Sequence, residues 1–446
     1  MSGIKLPLVF IFHLFTFQFC VAQYEAPLYT SYTTKAAREK IHDRMIKNTI
    51  NKNLSYPLND STEEKWEEAF DAIELMLYKT PFSEQKINYA FNNIETRSID
   101  FQRSLIEMVY SVYPTIFKNQ VHQLFGNATD PKLFAMCAEY LLEDKNDPDL
   151  INNLSNIINE KFADQALVDP TLYMLQLHVA EIKNNNQSIS KKNIKRILSK
   201  DFIPGKIIMY SIQRKNRDYP GLVIVRNANG NFITDSIGEM INIPQLARSI
   251  TNLPSYISNG NTPQGIFLMN GFGVSMSSFI GPSANVQLSM PVETSIKKFL
   301  GDSSITDSVW TTEYYSRLIP HDLQNYSPLY YSYYSGQVGR TEIIAHGTTI
   351  DPDYYLSQPW YPLTPSQGCL CTKEIWNGKR IESDQQKLVN ALLQAGGANG
   401  YCVVIELDDK QSAVTLNDVL PLLTIDKNVS HGISPLGGKA STKKIK

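Results

Sequence analysis

The chain has 446 residues, which is more than one ordinary hydrophobic core accommodates, so about two or three domains are expected. It contains 42 lysines and arginines against 44 aspartates and glutamates, a formal net charge of −2 at pH 7. This near-balance argues against a polyanionic partner, so no nucleic-acid ligand is expected.

The first segment has the pattern of a secretory signal peptide. Lys5 precedes an apolar run from Leu6 to Phe19, and Val21-Ala22-Gln23 then offers small residues. We therefore predict that residues 1–23 are a signal peptide and that the protein is exported to the periplasm or cell envelope. A lipoprotein anchor at Cys20 and a retained membrane helix are the alternatives, although the run is short for a span. No later apolar stretch approaches membrane-spanning length, so no retained transmembrane segment is expected.

Residues 24–200 have a helical pattern. Helix starts are predicted at four places, namely the capping pair Ser61 and Glu64, Asp100, Asp130-Pro131 and Asp169-Pro170. Their repeated layout predicts stacked helical pairs, as in an α-repeat array. The polar stretch from Lys183 to Lys200 is predicted to be a linker or a final exposed helix.

Residues 201–425 have the pattern of a second, β-rich domain with few helices. Strands are predicted at Ile207–Ile212, Leu222–Val225, Phe232–Ile233, Gly265–Met269, Val286–Leu288, Thr341–His346 and Tyr401–Leu407. One helix is predicted after a capping box of Ser383 and Gln386, ending at Gly396-Gly397. Residues 426–446 are predicted to be a flexible basic tail. The fold class is therefore α+β and multidomain, all-α at the N-terminal side and β-rich after it.

Four cysteines remain after removal of the leader, too few for a disulfide-built scaffold. Cys137 and Cys402 lie in apolar patterns and are predicted to be core residues. Cys369 follows Gly368 in a turn-rich segment that can project a thiol outward. Cys371 could instead pair with another cysteine or join Cys369 in binding a soft metal, but one Cys-x-Cys is a weak metal signal.

A thiol carries out acyl transfer only as a thiolate, so Cys369 needs a neighbouring base or cation. His346 ends a predicted strand 23 positions earlier and is the best available partner in the sequence. We therefore predict that Cys369 is a nucleophile and that His346 is its base. The alternative is that Cys369 is a small buried hydrophobic residue, which is the commoner role of a single cysteine.

Together these residues resemble the active-site signature of the L,D-transpeptidase catalytic domain family. The signature is carried by His346-Gly347 and by Ser366-Gln367-Gly368-Cys369, and Thr262–Phe267 is similar to that family's Thr-Pro-x-Gly-x-Phe stretch. The resemblance covers roughly residues 206–408 and does not extend to the helical half. Three features depart from the family pattern. Gln367 replaces a histidine, arginine or small residue, and Cys371 replaces an arginine or asparagine. The interval between His346 and Ser366 is also longer than is usual in that family.

The resemblance implies that Cys369 attacks a tetrapeptide stem of peptidoglycan and releases D-Ala. The thioester then passes to an amine of another stem as a 3-3 cross-link, with His346 as base and then acid. Gly368 and Cys369 would supply amides to the oxyanion, while Ser366 and Gly347 would shape the site. Gln367, Cys371 and Tyr361 are predicted to line the substrate, and neither a metal nor an organic cofactor is implied.

Several alternatives stay open at this point. His321 is either a second active-site imidazole or a surface loop residue. The tyrosines are expected to line a groove or to pack in a sheet, and they are Tyr314, Tyr315, Tyr330, Tyr331, Tyr333 and Tyr334. The helical half is expected to position the enzyme or to bind a protein partner. The function itself could be that of an L,D-carboxypeptidase or of a catalytically inactive exported wall-binding scaffold.

Overall fold

The computed structural model describes residues 29–143, 147–183 and 190–423. The predicted signal peptide and basic tail lie outside these residues. Within the described ranges, no helix is both long and apolar enough to cross a membrane. The two halves predicted from the sequence differ in secondary structure as expected, and the fold belongs to the α+β class.

The first half consists of helices joined by short turns. They are α1 (Lys35–Arg44), a π-helical segment (Met45–Asn51), α2 (Glu63–Met76), α3 (Pro81–Ala90), α4 (Ile99–Val112), α5 (Lys118–Asn127), α6 (Pro131–Leu142), α7 (Pro148–Phe162), α8 (Pro170–Lys183) and α9 (Lys191–Ile197). The even-numbered helices from α2 to α8 pack one against the next. Their apolar faces share one core that includes Trp66, Phe101 and Phe134. The assignment of this half to a repeat array stays a prediction.

Two of the four predicted helix starts have the expected cap. The carboxylate of Asp130 accepts a hydrogen bond from the Leu133 amide at 2.7 Å, and Pro131 occupies the first helical position. Asp169 accepts in the same way from the Leu172 amide at 3.0 Å. An aspartate followed by proline is a local signal, because the cap and the fixed proline backbone need no tertiary contact.

The other two starts were wrong by one or two residues. Helix α2 follows Thr62, while the Ser61 hydroxyl bonds the side chain of Asn59. Helix α4 is capped by Ser98, whose hydroxyl accepts from the Phe101 amide at 3.2 Å. Asp100 therefore lies inside the first turn, where its charge favours the helix dipole without capping it.

The second half is built on one sheet. Its strands are β1 (Ile208–Gln213), β2 (Gly221–Arg226), β3 (Asn242–Gln245), β4 (Gly265–Gly273), β5 (Asn285–Ser289), β6 (Ile344–Gly347), β7 (Leu370–Thr372) and β10 (Tyr401–Glu406), while β8 (Glu374–Trp376) and β9 (Arg380–Ser383) form a separate hairpin. The order in the sheet is β3-β2-β1-β10-β4-β5-β6-β7. The pairs β1/β10 and β6/β7 are parallel, and the others are antiparallel.

The sheet curls until its two edges nearly meet. Leu246, just after β3, exchanges two backbone hydrogen bonds with Cys371 of β7, at 2.7 and 2.8 Å. Strand β7 therefore has hydrogen-bonded neighbours on both sides, although it is only three residues long. This closure holds Cys369, the residue before β7, next to Ile344 at the start of β6.

Both faces of the sheet are covered, because side chains alternate along each strand. Tyr210 and Ile224 face one cluster, and Met209 and Val223 face the other. The helices of this half are α10 (Ile296–Leu300), α11 (Thr312–Ser316), α12 (Tyr331–Gln337), α13 (Asp384–Ala395) and α14 (Leu416–Val419). Helix α13 is capped by Ser383 and ends at Gly396, as predicted.

The tyrosine-rich stretch differs from expectation. It forms α11, α12 and the 3-10 turn Ser327–Tyr330, so these tyrosines are on helices and not on strands. Tyr315 and Tyr333 are buried and stacked, with ring centroids 5.5 Å apart. The pattern of aromatic residues was compatible with a strand, but contact with the sheet face stabilises short helices here.

Helix α9 is neither a linker nor fully exposed. Its Ile194 and Ile197 are buried against the sheet, and the Tyr210 hydroxyl donates to the Ile197 carbonyl at 2.9 Å. The basic residues of the helix face away from this contact. It therefore packs as part of the second half rather than of the helical array.

The segment between β6 and β7 contacts the helical half. The buried Tyr355 donates its hydroxyl to the Leu75 carbonyl in the last turn of α2 at 2.7 Å. Nearby, the Arg248 guanidinium lies 3.9 Å from the centroid of the buried Trp360 ring. The Tyr355 contact therefore holds α2 beside the segment that joins β6 to β7, while the Arg248 contact holds Trp360 of that segment within the second half.

We expect Tyr355→Phe to lower the free energy of unfolding by about 1 kcal/mol, because the Leu75 carbonyl loses its donor at a buried position. Urea denaturation of the full chain measures this change. Tyr354→Phe is the matched control, since Tyr354 is 42% exposed and its substitution should change the free energy little. Equal losses in the two variants would contradict a specific role for the Tyr355 hydroxyl.

Candidate active site

The turn before Cys369 is fixed on both sides by hydrogen bonds. The Ser366 hydroxyl accepts from the Cys369 amide at 2.9 Å, and the Ser366 carbonyl accepts from the Ile250 amide at 2.7 Å. The Thr262 hydroxyl donates to the Gly368 carbonyl at 2.8 Å. The position of the thiol is thus set before any ligand binds.

The Thr262–Phe267 stretch supports this turn from below. Gly265, which begins β4, has a φ of +126°, and a Cβ there would overlap the Ser332 hydroxyl and lie 2.8 Å from the Leu329 carbonyl. Glycine is therefore required by both backbone conformation and space. The stretch brings Thr262 to the Gly368 carbonyl, so its structural role is to support the turn before Cys369.

His346 lies in β6 and is 2% exposed. Its Nδ1 is 2.7 Å from the Gly347 carbonyl oxygen. A carbonyl can only accept, so Nδ1 carries the hydrogen and Nε2 has the free lone pair. Burial lowers the pKa of His346 to about 4, with the Gly347 carbonyl acting in the opposite direction. The imidazole is therefore neutral at pH 7 and able to accept a proton.

Cys371 is the nearest thiol to that lone pair. The parallel register of β6 and β7 pairs the two residues, and the Cys371 Sγ lies 3.7 Å from the His346 Nε2. Cys371 is fully buried, and burial raises the pKa of its thiol strongly. It was predicted to line the substrate, but its side chain points into the protein beside the imidazole.

Cys369 is partly exposed, and its sulfur has two backbone neighbours. The Ile344 amide donates to Sγ at 3.5 Å, and the Glu342 carbonyl is 3.7 Å away. Burial raises the pKa of Cys369, whereas the Ile344 amide and the Arg340 charge lower it. Among the described residues, no hydrogen bond joins this sulfur to His346, so the resting pair consists of a thiol and a neutral imidazole.

A cavity of about 520 Å³ opens in front of Cys369. The second half contributes His346, Thr348, Pro365, Ser366, Gln367 and Cys369 to its wall. The loop after β4 adds residues 277–280, and α1, the π-helical segment and α2 supply the remaining wall. The polar residues of that helical wall are Arg44, Thr49, Glu68 and Asp71. Both halves thus enclose the space that a substrate would occupy.

Five predicted site residues are absent from the wall of this cavity, and two of them, Gly347 and Cys371, lie beside the His346 ring instead. His321 is exposed on the 3-10 helix His321–Leu323, whose Leu323 packs in the core that contains Tyr210. Tyr361 is 39% exposed and does not line the wall. Gly368 is buried behind the wall. Of the three residues predicted to line the substrate, Gln367 lies on the wall of the cavity, whereas Cys371 and Tyr361 do not.

The predicted oxyanion hole is not preformed. The Cys369 amide already donates to the Ser366 hydroxyl, and Gly368 lies outside the cavity. The Ser366 hydroxyl must therefore turn away before the Cys369 amide can bind an oxyanion. Ser366 fixes the turn through this hydrogen bond, and its role in shaping the site stays a prediction.

Gly347 shapes the site through a neighbour that the sequence did not indicate. Any Cβ on Gly347 would overlap the carboxylate of Glu374, which is 6% exposed. Ser283 and Trp376 bind one carboxylate oxygen, while no partner meets the other oxygen in the part of the chain described. This packing holds the Gly347 carbonyl against the His346 ring. Only the glycine itself hinted at such a close approach.

No protein-family model, curated protein or solved structure matches the chain. The four cysteines in the described ranges are all free thiols. Over those same ranges, no group of three or more histidine, cysteine, aspartate or glutamate side chains is arranged to hold a metal ion. The functional argument therefore rests on the geometry around Cys369 and His346.

Proposed function

We propose that this protein is a cysteine acyltransferase of the L,D-transpeptidase type that acts on peptidoglycan stem peptides. The observation that carries the proposal is that Cys369 and His346 lie on the wall of one cavity of about 520 Å³. The thiol is partly exposed there, whereas Cys137, Cys371 and Cys402 are buried. A reactive thiol has to be accessible, and among the described cysteines only Cys369 is.

The proposed reaction starts when the Cys369 sulfur attacks the carbonyl carbon of the third stem residue. Its proton passes to the His346 Nε2, beside which the Cys371 thiol lies at 3.7 Å. The C–N bond to the terminal D-Ala then breaks, and His346 returns the proton to the leaving amine. A thioester on Cys369 and free D-Ala are the products of this half-reaction.

The second half-reaction consumes the thioester. When an amine of another stem attacks the same carbonyl, the product is a 3-3 cross-link. When water attacks it, the product is the free tripeptide, and the activity is that of an L,D-carboxypeptidase. His346 accepts the proton of the incoming nucleophile, and the thiol leaves. Both outcomes use the same residues, so the acceptor alone decides between them.

The test uses disaccharide tetrapeptide muropeptides and the full chain without its predicted leader. A thioester adduct on the intact protein, release of D-Ala and a cross-linked dimer are expected by mass spectrometry. Conversion to the tripeptide without dimer identifies the carboxypeptidase. Binding to peptidoglycan with neither adduct nor D-Ala release would refute the acyltransferase and leave the wall-binding scaffold.

A further inference from the structure

A buried arginine lies directly behind the nucleophile turn. Arg340, between α12 and β6, is 7% exposed. Its guanidinium donates to the Asn261 carbonyl at 2.8 Å and to the Gly260 carbonyl at 2.9 Å, and it also bonds the Ser255 carbonyl. These three acceptors belong to one loop, so the guanidinium is held in a single position.

Among the described residues, this guanidinium has no ion-pair partner. In the described ranges, no carboxylate lies within 4 Å of Arg340, although Arg214 and Arg217 are paired with acids. The carboxyl group of Glu107 acts on Arg340 from a greater distance, and it accepts a hydrogen bond from the Asn259 side chain at 2.6 Å. A buried cation without a counter-charge is costly, so an anion nearby is strongly favoured.

Gly368 gives the guanidinium access to the site. Its φ is +110°, and a Cβ there would overlap an Arg340 nitrogen and lie 2.6 Å from the Gly260 carbonyl. The positive charge therefore lies against the residue that precedes Cys369. It lowers the pKa of that thiol, while the charge of Glu342 raises it, and Glu107 acts on Arg340 itself.

We infer that Arg340 is the positioning residue that stabilises negative charge at Cys369, first on the thiolate and then on the oxyanion formed beside it. The second part of this role rests on the proposed acyl transfer, whereas the first part does not. Arg340 acts through the turn without lining the cavity. It provides the cation that the neutral His346 cannot provide at pH 7.

The test measures alkylation of Cys369 by iodoacetamide as a function of pH, resolved by peptide mass spectrometry. The midpoint of this pH dependence reports the pKa of the Cys369 thiol. We expect Arg340→Gln to move the midpoint upward by roughly one to three pH units, as loss of a nearby opposite charge does. The rate at pH 7 should fall about tenfold for each unit. Arg340→Lys keeps the charge and should restore most of the wild-type midpoint, which a purely structural role would not predict.

Arg226→Met is the matched control, since Arg226 is also buried and bound to carbonyl groups, those of Ser199 and Phe202. Its midpoint should equal that of the wild type. If Arg340→Gln does not fold, as judged by circular dichroism, Arg340→Met gives the same reading, because it also removes the charge and keeps an unbranched side chain. If the variant that folds alkylates at Cys369 with the same pH midpoint as the wild type, the inference is overturned.

The two proposals fail separately in this design, because alkylation requires no muropeptide. A shifted midpoint without any muropeptide turnover would refute the acyltransferase and leave the role of Arg340 at the thiol. Turnover of muropeptides with an unshifted midpoint would refute the role of Arg340 alone.

Discussion

Replacement of Cys369 by alanine is expected to abolish muropeptide turnover, by at least about 10³-fold. No other described cysteine can take over, because Cys137, Cys371 and Cys402 are buried and burial raises the pKa of each thiol. The thioester adduct should also disappear from the intact-protein mass spectrum. The free energy of unfolding should change little, since the Cys369 side chain is partly exposed.

Cys402→Ala is the matched control for this variant. It removes a thiol from β10, on the sheet face that α13 covers, and should leave the rate of D-Ala release near that of the wild type. Its unfolding free energy should fall instead, because a small cavity opens in the core. Turnover that survives in Cys369→Ala would show that another group forms the covalent intermediate.

His346→Gln should lower kcat/KM by about 10²- to 10⁴-fold, because the proton of the thiol loses its acceptor. The pH profile of the wild type gives an independent reading. Burial holds the pKa of His346 at about 4, so the base stays unprotonated well below pH 6.5. The acid limb of kcat/KM should therefore lie near pH 4 in the wild type, and an acid limb near 6.5 would contradict a buried neutral imidazole.

The same shift predicts the pH dependence of stability. The unfolded state binds a proton on His346 below about pH 6.5, whereas the folded state does so only near pH 4. Stability should therefore fall as the pH drops through this window. His346→Gln should flatten that fall, and Cys371→Ser, which keeps a buried donor beside Nε2, should not. Urea unfolding at several pH values checks both variants.

The local parts of the fold were predictable from sequence. Asp130 and Ser383 cap their helices through contacts within three residues, so no tertiary information was needed. The position of Ser98 as a cap was missed, because Asp100 carries an equally good capping side chain two residues later. Only the packing of α4 decides between them.

Of the candidate site, only the placement of Cys369 and His346 in one region of the structure was predictable from the sequence. A spacing of 23 residues was expected to bring Cys369 back to His346, but the register of β6 and β7 pairs His346 with Cys371, and Cys369 lies beside Ile344 at the start of β6. The Arg340 guanidinium could not be foreseen, because its carbonyl partners lie about 80 residues earlier in the chain. The contribution of the helices to the cavity wall could not be predicted either. A sequence pattern indicates which face of a helix is apolar, but not which element packs against it.

The shared cavity has a consequence for how the protein works. Cys369 immediately precedes β7, a strand with hydrogen-bonded neighbours on both sides, so it has little freedom to move within the cavity. The helices form the opposite wall of the cavity, and the hydrogen bond from Tyr355 to α2 resists their displacement. We therefore expect the contacts between the two halves to affect how easily a substrate reaches Cys369. Substitutions far from the sulfur should then change the rate of the proposed reaction.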